Sequence, residues 1–116
     1  MKKINILKNS RDFDRIISNN KPYIYKDYVI YIENNTNDVY KFGISAGKKL
    51  GNAVNRNKIK RQIRSIIDEN VYQNNFNCII IVGKGINEKT FKERKNNLLI
   101  ALSNINIIKE KKNEKN

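Results

Sequence analysis

The chain has no histidine, a single cysteine and fewer than half as many acidic as basic side chains. The absence of histidine removes the usual general base and the commonest metal ligand. Its acids, among them Asp12, Asp14, Glu33, Asp38, Asp68 and Glu69, are dispersed and show no metal-binding spacing. An independent active site is therefore not expected, and neither is a metal bound by the protein alone. Cys78 has no partner for an internal disulfide and lies in the apolar run Cys78–Val82, where a thiol packs as a small hydrophobe. No window approaches the roughly 20 apolar residues of a membrane span, and the basic start Met1–Lys8 has no apolar stretch of signal-peptide length. The expectation is a cytoplasmic protein with no membrane partner and no small-molecule substrate.

The shortage of acids leaves 24 Lys and Arg against 11 Asp and Glu, a formal net charge of +13. Such a surplus repels itself unless a polyanion is present, which makes nucleic acid the first partner to consider. A chain this rich in Lys, Asn and Ile could owe part of its charge to compositional drift, but drift would spread its cations evenly. Three of the six arginines, Arg56, Arg61 and Arg64, instead fall within nine residues that also hold Lys58 and Lys60. At 116 residues the chain has room for one core. We expect a single RNA-binding α/β domain over residues 1–108 and a disordered basic tail over 109–116, where every residue is charged or an amide.

Along the chain, Asn9 or Ser10 can cap a helix carrying Phe13, Ile16 and Ile17 at helical spacing, ending near Asn19 and Asn20 before Pro22. Tyr23–Glu33 is rich in Tyr, Val and Ile and reads as one or two strands, with Asn34–Asp38 as the turn of a hairpin. Tyr40, Phe42 and Ile44 alternate with Lys41, Gly43 and Ser45, which predicts another strand with one apolar face. A helix follows over roughly Asn55–Val71, with Ile59, Ile63, Ile66 and Ile67 as its core stripe. Cys78–Val82 has the continuous apolar pattern of a central strand covered on both faces. Thr90 and Glu93 match a capping box for a last helix, in which Phe91, Leu98, Leu102 and Ile105 recur on one side. The expected fold class is an α/β (α+β) sandwich in the order α-β-β-β-α-β-α, a small four-stranded mixed sheet with helices packed on it.

The chemistry concentrates between Lys48 and Arg64. In helical projection Lys60, Arg64, Asn57 and Arg61 fill an arc about 100° wide beside the isoleucine stripe, with Arg56 at its edge. Cations at a helix start oppose the macrodipole, and like charges at i, i+4 repel, so this surface costs stability on its own. Bound phosphates offset that cost, because Arg forks hold phosphate oxygens and each neutralised phosphate releases counterions. Asn52, Asn55 and Asn57 add neutral donors, while Gly47 and Gly51 bracket Lys48 and Lys49, either to admit a sugar-phosphate backbone or simply to turn the chain.

The segment Lys48-Lys49-Leu50-Gly51-Asn52-Ala53-Val54-Asn55-Arg56-Asn57-Lys58-Ile59-Lys60-Arg61-Gln62-Ile63-Arg64 closely resembles, without gaps, the signature K-x-G-N-A-V-x-R-N-x-x-K-R-x-x-R of the bacterial ribonuclease P protein component. The resemblance extends more loosely over nearly the whole chain. It implies a protein subunit that binds a large catalytic RNA, with magnesium in the holoenzyme held mainly by that RNA, and assists removal of the 5′ leader from precursor transfer RNA. Catalysis would reside in the RNA, making the polypeptide one part of a hydrolytic endoribonuclease. Lys48, Lys49, Asn52, Asn55, Arg56, Asn57, Lys58, Lys60, Arg61 and Arg64 would then face the catalytic RNA. A cleft between the first helix and the sheet would hold the single-stranded leader, with Phe13 and Tyr31 at the family's aromatic positions and Ile17 where a second helical aromatic is expected. The resemblance also implies a left-handed crossover through the signature helix, against the usual right-handed rule.

Three other readings remain to be weighed. The charge and fold would permit a ribosomal or other structural RNA-binding protein equally well, but the long signature would then be a coincidence. A DNA-binding regulator would need its basic helix free for a major groove, whereas strands flank this one. A stand-alone nuclease would lack histidines and clustered acids.

Overall fold

The computed structural model describes residues 1–111. In chain order its main elements are α1 (Ser10–Asn19), β1 (Tyr23–Tyr25), β2 (Tyr28–Asn34), β3 (Tyr40–Ser45), α2 (Ala53–Ile67), β4 (Asn70–Tyr72), β5 (Phe76–Val82), α3 (Phe91–Asn104) and β6 (Ile108–Lys111). Short 3-10 turns at Lys3–Asn5, Lys48–Leu50 and Lys84–Glu88 join them.

Because β5 is continuously apolar from Cys78 to Val82, it needs cover on both faces, the setting of a central strand with neighbours on both edges. It receives both: the sheet order is β1-β2-β5-β3, with β2 antiparallel and β3 parallel to β5. The hairpin expected at Asn34–Asp38 is therefore not formed, since β5 lies between the two strands this segment joins. The loop entering β5 is stitched into that connection instead, where the Asn35 N–H donates to the Asn75 carbonyl and the Asn75 N–H to the Val39 carbonyl, both at 2.9 Å.

The register sorts the sheet into two faces. Ile30, Ile44 and Ile80 share a row on one face, as do Ile32, Phe42 and Cys78, and α2 and α3 cover this side. Ile59, Ile63, Ile66 and Ile67 of α2 are all buried there, as their spacing requires. The opposite face carries three rows across β3, β5 and β2: Lys41–Asn77–Glu33, Gly43–Ile79–Tyr31 and Ser45–Ile81–Val29. α1 lies on this second face over a smaller cluster of Leu7, Ile16 and Ile79.

Three boundaries depart from the sequence reading. α2 ends at Ile67 rather than near Val71, because Asn70–Tyr72 becomes β4 and pairs antiparallel with β6, with a register shift between Val71 and Tyr72. β6 in turn carries ordered backbone to Lys111, past the boundary placed at residue 108, while positions 112–116 of the expected tail lie outside the described residues. In α3 the capping box is present in both directions, but Phe91 is 45% exposed and the buried stripe starts only at Leu98. The first turn of α3 is held by polar bonds instead: the Tyr28 hydroxyl donates to the Arg94 carbonyl, and Arg94 donates to the Ile86 carbonyl and to Gln62.

Candidate nucleic-acid interface

Gly51 sets the entry to the basic helix. Its φ of 107° and ψ of −153° belong to a region that side chains rarely adopt, so glycine is required for the turn itself. Asn52 then caps α2, its side-chain oxygen accepting from the Asn55 N–H at 2.9 Å. The Asn55 side-chain amide donates to the Leu50 carbonyl and, at 2.9 Å, to the Asn87 side-chain oxygen. Asn55 thus ties the lead-in to α2 and to the Lys84–Glu88 turn. Of the three asparagines expected to offer donors, Asn52 uses only its side-chain oxygen in the cap and keeps its amide N–H groups exposed, Asn55 spends its amide donors in this tie, and Asn57 is exposed to solvent. The role of Asn87 was not legible, since it stands 32 residues away in sequence.

Beyond the cap, α2 separates its functions by face. Gln62 accepts from Arg94 and so points toward α3, the isoleucines face the sheet, and the cationic arc lies on the remaining side. Lys48, Lys49, Lys58 and Arg61 are exposed, whereas Arg56, Lys60 and Arg64 are half-buried at the margins of the stripe. Among the described residues, no carboxylate lies within salt-bridge distance of any of these seven cations. Asp12, Asp27, Glu33, Asp68 and Glu69 are paired elsewhere, with Arg15, Lys89, Arg15, the Met1 amine and Lys95 respectively. The paired acids thus bond to other cations, which leaves these seven clustered along the lead-in and α2 without ion pairs. Val54, 77% exposed, lies within that stretch.

The second face of the sheet supplies a recess. The backbone N–H of Leu7 donates to the Phe42 carbonyl, which docks the N-terminal arm on the outer edge of β3, and α1 then packs on β5 and β2. The helix therefore crosses the strands. Phe13 fits over Gly43, where an added Cβ would come within 2.5 Å of the ring, so the glycine creates the slot that seats the phenylalanine. Phe13, Ile17, Tyr31 and Ile81 are all half-buried around Ile79. The structure thus brings the three expected cleft residues together, as partly covered walls and not as free rings. On the flank of α1 beyond Phe13 and Ile17, the row Ser45–Ile81–Val29 runs on to Ile24, which is 65% exposed. Ser45 ends β3 and leads into Lys48 and Lys49, so the open flank of the recess adjoins the cationic lead-in.

The other flank of α1 is closed. Arg15 donates to both carboxylate oxygens of Glu33, at 3.0 and 2.9 Å, and to Asp12. Glu33 also accepts from Asn77 at 2.8 Å, and Asn77 accepts from Asn35 at 3.0 Å. The Arg15 fork holds the Glu33 carboxyl below the usual glutamate range, opposed by partial burial and helped by Asn77.

The ribonuclease P family model matches residues 1–106. The ribonuclease P protein component of Mesoplasma florum is 37% identical over 101 residues, covering 84% of this chain and 92% of that protein. Its counterpart in Streptococcus gordonii is 37% identical over 111 residues, covering 95% and 93%. The chain belongs to the ribonuclease P protein family. Solved ribonuclease P proteins share its fold. That of a Staphylococcus aureus RNase P protein mutant with defective mRNA degradation activity aligns with a TM-score of 0.82 at 32% identity, covering 90% of this chain and 91% of that one. The RNase P protein from Thermotoga maritima aligns at 0.75 and 29% identity, covering 84% and 94%.

As a ribonuclease P protein, the chain is a subunit of the ribonucleoprotein that processes the 5′ end of transfer RNA, in partnership with ribonuclease P RNA and the transfer-RNA substrate. Burial raises the pKa of the Cys78 thiol well above its ordinary value, so no nucleophilic thiolate is on offer. Among the described residues, no group of three or more Cys, Asp or Glu side chains could hold a metal ion. Among the described residues, no helix is long and apolar enough to cross a membrane.

Proposed function

We propose that this protein presents two surfaces to one ribonucleoprotein substrate complex. The cationic face of α2, with Lys48 and Lys49, docks on the ribonuclease P RNA, and the open flank of α1 receives the single-stranded 5′ leader of precursor transfer RNA. The chemistry belongs to the RNA and its magnesium, and the protein works in the cytoplasm as a binding and positioning subunit. The observation that carries this reading is the set of seven cations without carboxylate partners, placed where Gly51 and the Asn55 tie fix the lead-in. A docking surface of this kind binds phosphates with a steep dependence on salt. In the recess, half-buried Phe13 and Tyr31 can offer ring edges and faces to unpaired bases, and Ile17 supplies apolar contact only.

The reading is tested by replacing Arg56, Arg61 and Arg64 together with alanine. Affinity for ribonuclease P RNA should fall, and the slope of log affinity against log salt should flatten by up to about one per lost phosphate contact. The far-ultraviolet circular dichroism should stay unchanged, because none of the three side chains belongs to the buried stripe. Unchanged affinity and slope would place the RNA elsewhere on the molecule.

A further inference from the structure

Resting on the leader-binding reading above, we propose that Arg15 is a positioning residue: its fork on Glu33 sets how α1 stands over the sheet, and so the width of the recess on the helix's far side. At about 100° per residue, Arg15 leaves α1 roughly 160° around from Phe13, on the side away from the sheet, and its bonds to Glu33 draw its head group to the Lys41–Asn77–Glu33 row, opposite the open flank. Its three bonds are all internal, two to Glu33 and one to Asp12. Glu33 is in turn held by Asn77, a buried residue of β5, and Asn77 by Asn35. The chain of bonds thus joins α1 to two strands and to the loop after β2.

The remaining attachments of α1 are of another kind. Ile16 is fully buried and Phe13 sits in the slot at Gly43, contacts that hold the helix down without fixing its tilt, because apolar burial has no preferred direction. A two-point guanidinium–carboxylate fork is directional. It joins one flank of the helix to the Lys41–Asn77–Glu33 row, while the Ser45–Ile81–Val29 row opposite stays open. Arg15 therefore acts through α1 and touches no RNA, although it is a cation on a nucleic-acid-binding protein.

The test uses holoenzyme reconstituted with a bacterial ribonuclease P RNA and two precursor transfer RNAs, one with a long leader and one with a single-nucleotide leader. Arg15→Gln, Glu33→Gln and the double variant are compared with wild type and with Tyr31→Ala. Either single variant should raise KM for the long-leader precursor by about three- to tenfold, and the double should be no worse than the singles because they break one shared bond. The kcat, and the KM for the single-nucleotide leader, should not move. Unchanged KM in both single variants, with KM raised by Tyr31→Ala, would show that the fork does not position the recess. An equal loss on both precursors would reduce it to a general stability element and overturn the proposal as well. If wild-type holoenzyme itself treated the two precursors alike, the leader-binding reading would fail first and this inference with it.

Discussion

Gly43 shows how one residue shapes the recess. A methyl group there would meet the Phe13 ring at 2.5 Å, so Gly43→Ala should displace the ring and cost about 1–3 kcal/mol, the usual range for overpacking. The urea midpoint together with the Phe13 ring resonances would check this; an unchanged midpoint with the ring in place would mean that α1 yields freely. Glu33 carries a pH signature. Because its folded-state pKa lies below the ordinary value, its contribution to stability is fully present above that ordinary value and is lost as pH falls through the folded-state one. Glu33→Gln should therefore be less stable than wild type at neutral pH, with the gap narrowing at acidic pH below the ordinary glutamate range and shrinking in high salt, as expected for a partly exposed pair. Urea titrations at the two pH values measure the gap; a constant difference would contradict the assignment. Neither feature was legible in the sequence. Arg15 and Glu33 are 18 residues apart and Asn77 is 44 from Glu33, so only the folded register makes them neighbours. Asn55, read as a donor for RNA, spends its amide on the tie, a bond to Asn87 that sequence spacing does not show, whereas Asn52 caps α2 through its oxygen and keeps its amide donors.

At the scale of an element, α2 divides into a half that makes the core and a half that the core does not need. Ile63→Ala should cost about 2–5 kcal/mol, since it removes a fully buried side chain from the main cluster. Alanine at Arg56, Arg61 and Arg64 should leave the thermal midpoint nearly unchanged while removing RNA affinity. A thermal shift in each protein distinguishes the two halves, and a triple arginine variant as unstable as Ile63→Ala would mean that the faces are misassigned. This division was legible because a helical period is a local property: the isoleucine stripe fixes the core side, and the cations fall beside it. What escaped was non-local pairing. Asn70–Tyr72 has no strand signal of its own and becomes β4 only because β6 pairs with it. Asn34–Asp38 looks like a hairpin turn, yet the stronger demand of β5 for two neighbours separates the strands it connects. Phe91 kept its helical spacing but lies ahead of the buried stripe, where Arg94 and Tyr28 hold the first turn.

At the scale of the whole molecule, the net charge of +13 is distributed unevenly. The five acids paired among the described residues, Asp12, Asp27, Glu33, Asp68 and Glu69, bond to partners other than the seven cations of the lead-in and α2, whose charge is left uncompensated by ion pairs. If RNA docks on those cations, a chain without histidine and, among the described residues, without clustered acids should accelerate a reaction only by organising a partner that performs it. The direct measurement is cleavage of precursor transfer RNA at low magnesium by bacterial ribonuclease P RNA with and without this protein, beside the protein alone. The account predicts cleavage that is strongly stimulated when both are present and undetectable with protein alone. Cleavage by the protein without RNA, or no stimulation of the RNA, would contradict it.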